Sequence, residues 1–194
     1  MPAGAERQYG AMPVTIRTVG HGAQAAETFV GLVTGAGVGH VVDIRSYPGS
    51  RRHPHFGRPA MEEWLPAAGV AYSWDPRLGG RRRPVPGSRH TGLVHEAFRA
   101  YADHMEGAEF SAGVVDLLDL ATGQPGGGVA VLCAETLWWQ CHRRLLADTL
   151  VLVHGVTVEH VMPDGRLAPH RPTEAARVDG GGLVYDVGET GRLL

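Results

Sequence analysis

The chain has 194 residues, of which 43% are hydrophobic and 20% charged, a composition that indicates a globular protein with a sizeable core and excludes a disordered one. The N-terminal sequence MPAGAERQYGAMP lacks the basic start and apolar stretch of a secretory signal, and no apolar run reaches the roughly 18 residues that span a bilayer. The formal net charge is −2 and all 18 basic residues other than histidine are arginine, which excludes a lysine Schiff base and the lysine of a P-loop.

Apolar, β-branched runs alternate along the chain with segments of helical periodicity. In chain order, the pattern predicts a strand at 14–19, a helix at 25–37, a strand at 37–45, a helix at 58–69, a strand at 70–74, helices at 92–105 and 108–122, a strand at 128–133, a helix at 142–155 and a strand at 156–161. This alternation predicts a single α/β domain over residues 14–175, with a mainly parallel, Rossmann-like sheet of about five strands flanked by helices.

The two ends of the chain show no such alternation. Residues 1–13 are predicted to be a flexible N-terminus and residues 176–194 a C-terminal tail. Glycine and proline are frequent from Pro163 onward, and this composition predicts irregular structure there.

Several of the predicted strands end in polar or reactive residues. Four of these ends are Gly20-His21, Asp43-Ile44-Arg45, Trp74-Asp75 and Cys133-Ala134-Glu135. Ligands of parallel α/β sheets bind at the carboxyl ends of the strands. We therefore expect these four positions, which are distant in sequence, to meet at one rim of the sheet.

Positive charge is concentrated in the middle of the chain. Residues 45–90 contain nine arginines and three acidic residues, whereas the remainder contains nine arginines and seventeen acidic residues. Two arginine-rich loops, RSYPGSRRHPHFGR and RLGGRRRPVPGSRH, follow the second and third predicted strands. This imbalance predicts an anionic partner, nucleic acid or a nucleotide, although a solvated loop remains an alternative.

Seven basic residues at these strand ends and loops are the candidates for phosphate binding. They are His21, Arg45, Arg51, Arg52, Arg81, Arg82 and Arg143. Guanidinium groups can bind phosphate oxygens in a bidentate manner. The pair His53 and His55 is too weak a pattern to predict a metal site. We therefore predict neither a metal nor a cofactor, and the sequence leaves a requirement for metal open.

Two carboxylates, Asp43 and Glu135, follow apolar strands and are candidates for general acid and base. An ion pair between Asp43 and Arg45, or another nearby arginine, is an equally reasonable structural alternative. The same ambiguity applies to Glu135, which lies two residues after Cys133.

The two cysteines are too few for a disulfide framework, so we expect reduced thiols and a cytoplasmic location. Cys141 precedes His142 and Arg143 at a predicted helix start, where a thiol can act as a nucleophile with a lowered pKa. Cys133 lies at a strand end, but Trp139 occupies the position at which a phosphatase loop carries its arginine. The alternative for either thiol is a small buried side chain.

The adjacent Trp138 and Trp139 admit two interpretations. Core packing is the usual role of tryptophan, whereas beside arginine-rich loops the indole rings can stack on a base.

Six segments together resemble the Domain of Unknown Function family 488: TVGHG, VVDIRSYPGSRRHPHF, LGGRR, YADHM, CAETLWWQCHR and HVMPDG. The resemblance extends from about residue 16 to 173, and the segments occur in the order of the family. It implies the fold and the residues at the rim, including Gly20-His21, Asp43-Ile44-Arg45, Cys133-Ala134-Glu135 and Cys141-His142-Arg143. It implies no activity.

Three functions are compatible with these residues. We expect a nucleic-acid- or nucleotide-processing enzyme, such as a DNA glycosylase that hydrolyses the N-glycosidic bond of a modified or damaged base. The first alternative is a thiol-dependent enzyme that handles sulfur or a small anion through Cys141 or Cys133. The second is a non-catalytic nucleic-acid-binding module. The sequence leaves the oligomeric state open.

Overall fold

The computed structural model describes residues 14–49, 51–123 and 128–186. The strands are β1 (Thr15–Gly20), β2 (Val38–Asp43), β3 (Ala71–Trp74), β4 (Gly128–Cys133), β5 (Thr157–Val161), β6 (Leu167–Pro169), β7 (Ala176–Asp179) and β8 (Gly182–Tyr185). The α-helices are α1 (Ala26–Gly35), α2 (Arg58–Ala67), α3 (Glu96–Met105), α4 (Ala108–Gly123) and α5 (Arg143–Leu152). The predicted flexible N-terminus, residues 1–13, and the end of the predicted tail, residues 187–194, lie outside the described residues.

The main sheet has the strand order β3-β2-β4-β1-β5-β6. Its first five strands are mutually parallel, and β6 pairs antiparallel with β5. The prediction of a single α/β domain with a mainly parallel, Rossmann-like sheet is therefore confirmed. The sequence GVAVLC of β4 is apolar throughout because this central strand is covered on both faces.

Two hydrophobic clusters cover the two faces of the sheet. One includes Phe29 of α1 and Met61 of α2, and the other includes Tyr101 of α3 and Leu146 of α5. Within the described part of the chain, no helix has both the length and the hydropathy required to cross a bilayer.

The register of the sheet aligns the strand ends that carry polar residues. Gly20 pairs with Cys133, and Asp43 pairs with both Leu132 and Trp74. Because these parallel strands end at one level, the residues that follow β1, β2 and β4 emerge side by side. The expected common rim is thus present for three of the four strand ends, whereas Trp74 and Asp75 at the end of β3 line a different pocket.

The prediction of irregular structure from Pro163 onward is wrong for the described residues. The described part of this segment contains β6 and the antiparallel hairpin of β7 and β8. Gly180 and Gly181 connect the hairpin with φ angles of 58° and 85°, the positive values that a tight hairpin turn needs. The strands are only three or four residues long, too short to produce a clear pattern among glycines and prolines.

The buried carboxylate of Asp148 on α5 holds this C-terminal segment against the domain. It accepts hydrogen bonds from His170 Nε2 (2.8 Å), from the backbone N of Thr173 (2.9 Å), from Thr173 Oγ1 (2.7 Å) and from Tyr185 Oη (3.1 Å). Asp148 and Tyr185 are both fully buried. A charged acceptor in this position needs all of its donors, because a buried charge without hydrogen bonds is strongly unfavourable.

We expect Asp148→Ala to lower the free energy of unfolding by about 3 kcal/mol, because it leaves buried donors without an acceptor. Urea denaturation followed by circular dichroism measures the change. The control is Asp164→Ala, which removes an exposed carboxylate that pairs with Arg166 and should leave the free energy of unfolding almost unchanged, because exposed ion pairs contribute little to stability. Equal effects of the two substitutions would contradict the anchoring role of Asp148.

Candidate functional site

A cleft of about 890 Å³ opens at the carboxyl ends of β1, β2 and β4. The residues that line it are His21, Gly22, Ala23, Arg45, Ser46, Tyr47, Gly49, Arg52, His53, Gly80, Arg81, Ala97, Phe98, Cys133, Ala134, Glu135, Thr136, Gln140, Cys141 and His142. Among the described residues of this lining, three are arginines and one, Glu135, is acidic. The cleft is therefore suited to an anion.

The carboxylate of Asp43 is buried below the cleft rather than exposed in it. It accepts hydrogen bonds from the backbone N of Arg45 (3.0 Å), from Arg45 Nε (2.8 Å) and from Tyr72 Oη (2.8 Å). Asp43 is fully buried and is not among the lining residues. Of the two roles that the sequence allowed, the geometry favours the ion pair, so that Asp43 positions Arg45.

The same contacts orient His21. Arg45 Nη1 donates to Nε2 of His21 (3.1 Å), and Nδ1 of His21 donates to the carbonyl oxygen of Gly22 (2.8 Å). Burial, assisted by the positive charge of Arg45, lowers the pKa of His21 to about 4. The imidazole is thus neutral, with its proton on Nδ1, and its ring stacks on Phe56 at a centroid distance of 4.1 Å.

The two cysteines and His142 form a cluster in the cleft wall. Nδ1 of His142 lies 3.5 Å from Sγ of Cys141 and 3.8 Å from Sγ of Cys133. The three donor atoms all lie within 4.8 Å of one another. Arg143 Nε donates to Sγ of Cys141 at 3.4 Å. The two cysteines are eight residues apart, and this separation does not predict that their sulfurs are close. They are close because the loop between β4 and α5 folds back on the strand end.

The two thiols differ in acidity. Burial raises the pKa of Cys141, but the hydrogen bond with Cys133 and the charges of His142 and Arg143 outweigh burial, so that this pKa lies well below its ordinary value. The hydrogen bond with Cys141, together with burial, raises the pKa of Cys133. Cys141 is therefore the more acidic of the two thiols.

The guanidinium of Arg143 is buried, with 1% of the residue exposed. Besides Cys141, it donates to the carbonyl oxygens of Glu135 and Thr136. These contacts shape the loop after β4 instead of leaving the group available to a phosphate. Position 20, next to the guanidinium of Arg143, must be glycine, because a Cβ at this position would overlap the carbonyl oxygen of Glu135.

The other four arginines that were predicted to bind phosphate lie in three different environments. Arg52 and Arg81 line the cleft, and both are exposed. Arg51 is exposed but outside the lining. Arg82 donates to the carbonyl oxygens of Pro76, Arg77 and Gly79, so that it holds its own loop together.

Neither tryptophan of the predicted stacking pair lines the cleft. Trp138 stacks on His160 at 4.0 Å with an interplanar angle of 6°, and Trp139 is 42% exposed. The aromatic residues that do line the cleft are Tyr47, which is 75% exposed, and Phe98 of α3. Tyr47 was recognisable from its place in the first arginine-rich loop, whereas no local signal marked Phe98.

A family model described as "Domain of unknown function DUF488" matches residues 25–150, more than half of the chain. The chain belongs to the DUF488 family. This match includes Arg45, Glu135 and the cluster of Cys133, Cys141 and His142, while His21 lies just before its first residue. No curated protein and no solved structure matches the chain. The family assignment therefore supports the fold, and its description names no activity.

Protonation of His21 should make the stability of this DUF488 protein depend on pH. In the unfolded chain His21 takes up a proton near pH 6.5, but in the folded state only near pH 4. Between these values the unfolded state binds more protons, so the free energy of unfolding should fall as the pH is lowered. Urea denaturation across this interval should show a smaller fall for His21→Gln, which does not titrate.

Part of the decrease in the free energy of unfolding at low pH should persist in His21→Gln, because burial also lowers the pKa of His160 to about 3. An identical pH dependence in the variant and the wild type would contradict a neutral, buried His21.

Proposed function

We propose that this DUF488 protein is a nucleic-acid- or nucleotide-processing enzyme that hydrolyses the N-glycosidic bond of a modified or damaged base. The observation that carries the proposal is the composition of the cleft: among its described residues it is lined by three arginines, by the rings of Tyr47 and Phe98, and by one acidic side chain, Glu135. Phosphate binding, base stacking and a general base are the elements that such a reaction requires.

Two of the three arginines that line the cleft, Arg52 and Arg81, are suited to contacting phosphate. Arg45 is buried and donates to Asp43 and His21, so its guanidinium orients the rim of the cleft and is not free to contact phosphate. Arg52 and Arg81 extend from the two arginine-rich loops and are exposed to an incoming anion. Guanidinium groups on two separate loops can bind phosphates at more than one position along a substrate.

Glu135 is suited to activating the attacking water. In the proposed reaction it accepts a proton as the water oxygen bonds to the anomeric carbon of the sugar. The bond between that carbon and the base nitrogen breaks, and its electron pair leaves with the base, which takes up a proton from solvent. Because the chain contains no lysine, the reaction involves no lysine Schiff base.

Arg52→Ser should weaken binding of a fluorescent oligonucleotide about tenfold at moderate salt, because one charge-assisted contact is lost. The slope of log affinity against log salt should also decrease by about one. Arg51→Ser is the matched control, since Arg51 is adjacent in sequence and equally exposed but lies outside the lining of the cleft. A larger effect of Arg51→Ser would contradict the assignment of the cleft as the binding site.

Glu135→Gln should reduce base release by about 100-fold or more while oligonucleotide binding is retained, because the amide cannot accept the proton of water. Release is measured by chromatography on duplex and single-stranded oligonucleotides that carry a panel of modified bases. The control is Glu174→Gln, an exposed residue outside the cleft. Binding without release of any base by the wild type would overturn the glycosidic reaction and favour a non-catalytic binding module.

A thiol-dependent enzyme is the second candidate, and the lowered pKa of Cys141 favours it. A buried thiolate beside arginines can attack an electrophilic, anionic substrate. Three results together would favour this candidate over base hydrolysis. Turnover should survive Glu135→Gln, it should be lost in Cys141→Ser, and mass spectrometry should detect a covalent adduct on Cys141.

A further inference from the structure

The cluster of Cys133, Cys141 and His142 has the dimensions of a metal centre. In a tetrahedral zinc site with Zn–S bonds of about 2.3 Å and a Zn–N bond of about 2.0 Å, sulfur and nitrogen ligands lie about 3.5 Å apart. The two sulfur–nitrogen distances here are 3.5 and 3.8 Å. A single ring nitrogen carries at most one proton, so it cannot form a full hydrogen bond with both sulfurs. The same nitrogen and both sulfurs can, however, bind one metal ion together.

The surroundings of His142 leave Nδ1 as the nitrogen that faces the sulfurs. The ring packs against Tyr101 at a centroid distance of 5.0 Å, and a Cβ on Gly80 would overlap Nδ1 of the imidazole. Nε2 is buried without a hydrogen-bond partner in the described structure. Packing therefore orients the ring toward the two cysteines.

The three donors lie at the ends of regular secondary-structure elements. Cys133 is the last residue of the central strand β4, and Cys141 and His142 immediately precede α5. The hydrogen bond from Arg143 Nε to Sγ of Cys141 is the kind of outer contact that orients a metal-binding thiolate.

We propose that Cys133, Cys141 and His142 bind one Zn²⁺ ion in tetrahedral geometry, with the fourth position open to the cleft. All three residues line the cleft. Among the described residues, no further histidine, cysteine or carboxylate belongs to the cluster of Cys133, Cys141 and His142. Three protein ligands with an open position distinguish catalytic zinc sites from structural ones, in which four protein ligands close the shell.

The fourth position would be filled by water, which Zn²⁺ makes more acidic. Resting on the function proposed above, this water would be the nucleophile of the hydrolysis, with Glu135 as acceptor of its proton. The cation would also add to the positive charge of the arginine-lined cleft and so favour an anionic substrate.

Titration of the metal-free full-length chain with Co²⁺ alone tests the site without any substrate. We expect one Co²⁺ per chain, with the intense visible absorption of tetrahedral cobalt and a thiolate-to-cobalt charge-transfer band. Both features should be lost in Cys133→Ser and Cys141→Ser, and the tetrahedral absorption should be lost in His142→Ala. Glu135→Gln and His21→Gln, which alter other residues of the cleft, should retain both.

Because replacement of a buried cysteine can prevent folding, a second measurement uses the wild type only. Zn²⁺ should slow the alkylation of both cysteines by iodoacetamide at least tenfold, as counted by mass spectrometry. Absence of stoichiometric binding, cobalt absorption without a thiolate band, or unchanged alkylation in the presence of Zn²⁺ would each overturn the proposal.

These outcomes are separable from those of the proposed function. Zinc binding by a chain that releases no base would support the metal site and overturn the glycosidic reaction. Base release that continues undiminished in chelated, metal-free protein would support the reaction and overturn the role of zinc in it.

Discussion

The buried guanidinium of Arg143 is the interaction on which the arrangement of the cleft depends. It donates to Sγ of Cys141 and to the carbonyl oxygens of Glu135 and Thr136, so one cation joins the thiol cluster to the loop that carries the acidic side chain. Nearly full burial makes these contacts obligatory, since an unsatisfied buried charge is strongly unfavourable. The absence of a side chain at Gly20 provides the space for this loop.

A second buried arginine, which follows β2, also holds residues of the rim in place. Arg45 pairs with Asp43 and orients the neutral His21. The protein thus uses arginine in two ways: buried guanidinium groups with internal acceptors build the rim, and the exposed Arg52 and Arg81 are available to a ligand. The charge surplus of residues 45–90 combines both uses, so counting arginines overstates the number that can contact an anion.

The elements that surround the site could be predicted because their patterns are local. The apolar run of β4 and the position of Asp43 after β2 identify strand ends, and the parallel sheet brings such ends together. The hairpin of β7 and β8 was missed because its strands are short and its glycines resemble those of an irregular segment. The stacking role predicted for Trp138 rested on its expected position beside the arginine-rich loops, whereas its ring packs on His160 of β5.

The sequence by itself determined the α/β class, the parallel core strands, the family and the segments that supply the rim, because hydrophobic periodicity and strand-end residues are encoded locally. Only the tertiary structure decided which side chains face the cleft. Asp43 and Arg143 are drawn inward by buried partners, while Tyr47 and Phe98 reach the cleft from separate elements. The cluster of Cys133, Cys141 and His142 likewise exists only because the loop after β4 folds back on its strand, a contact that no residue spacing displays.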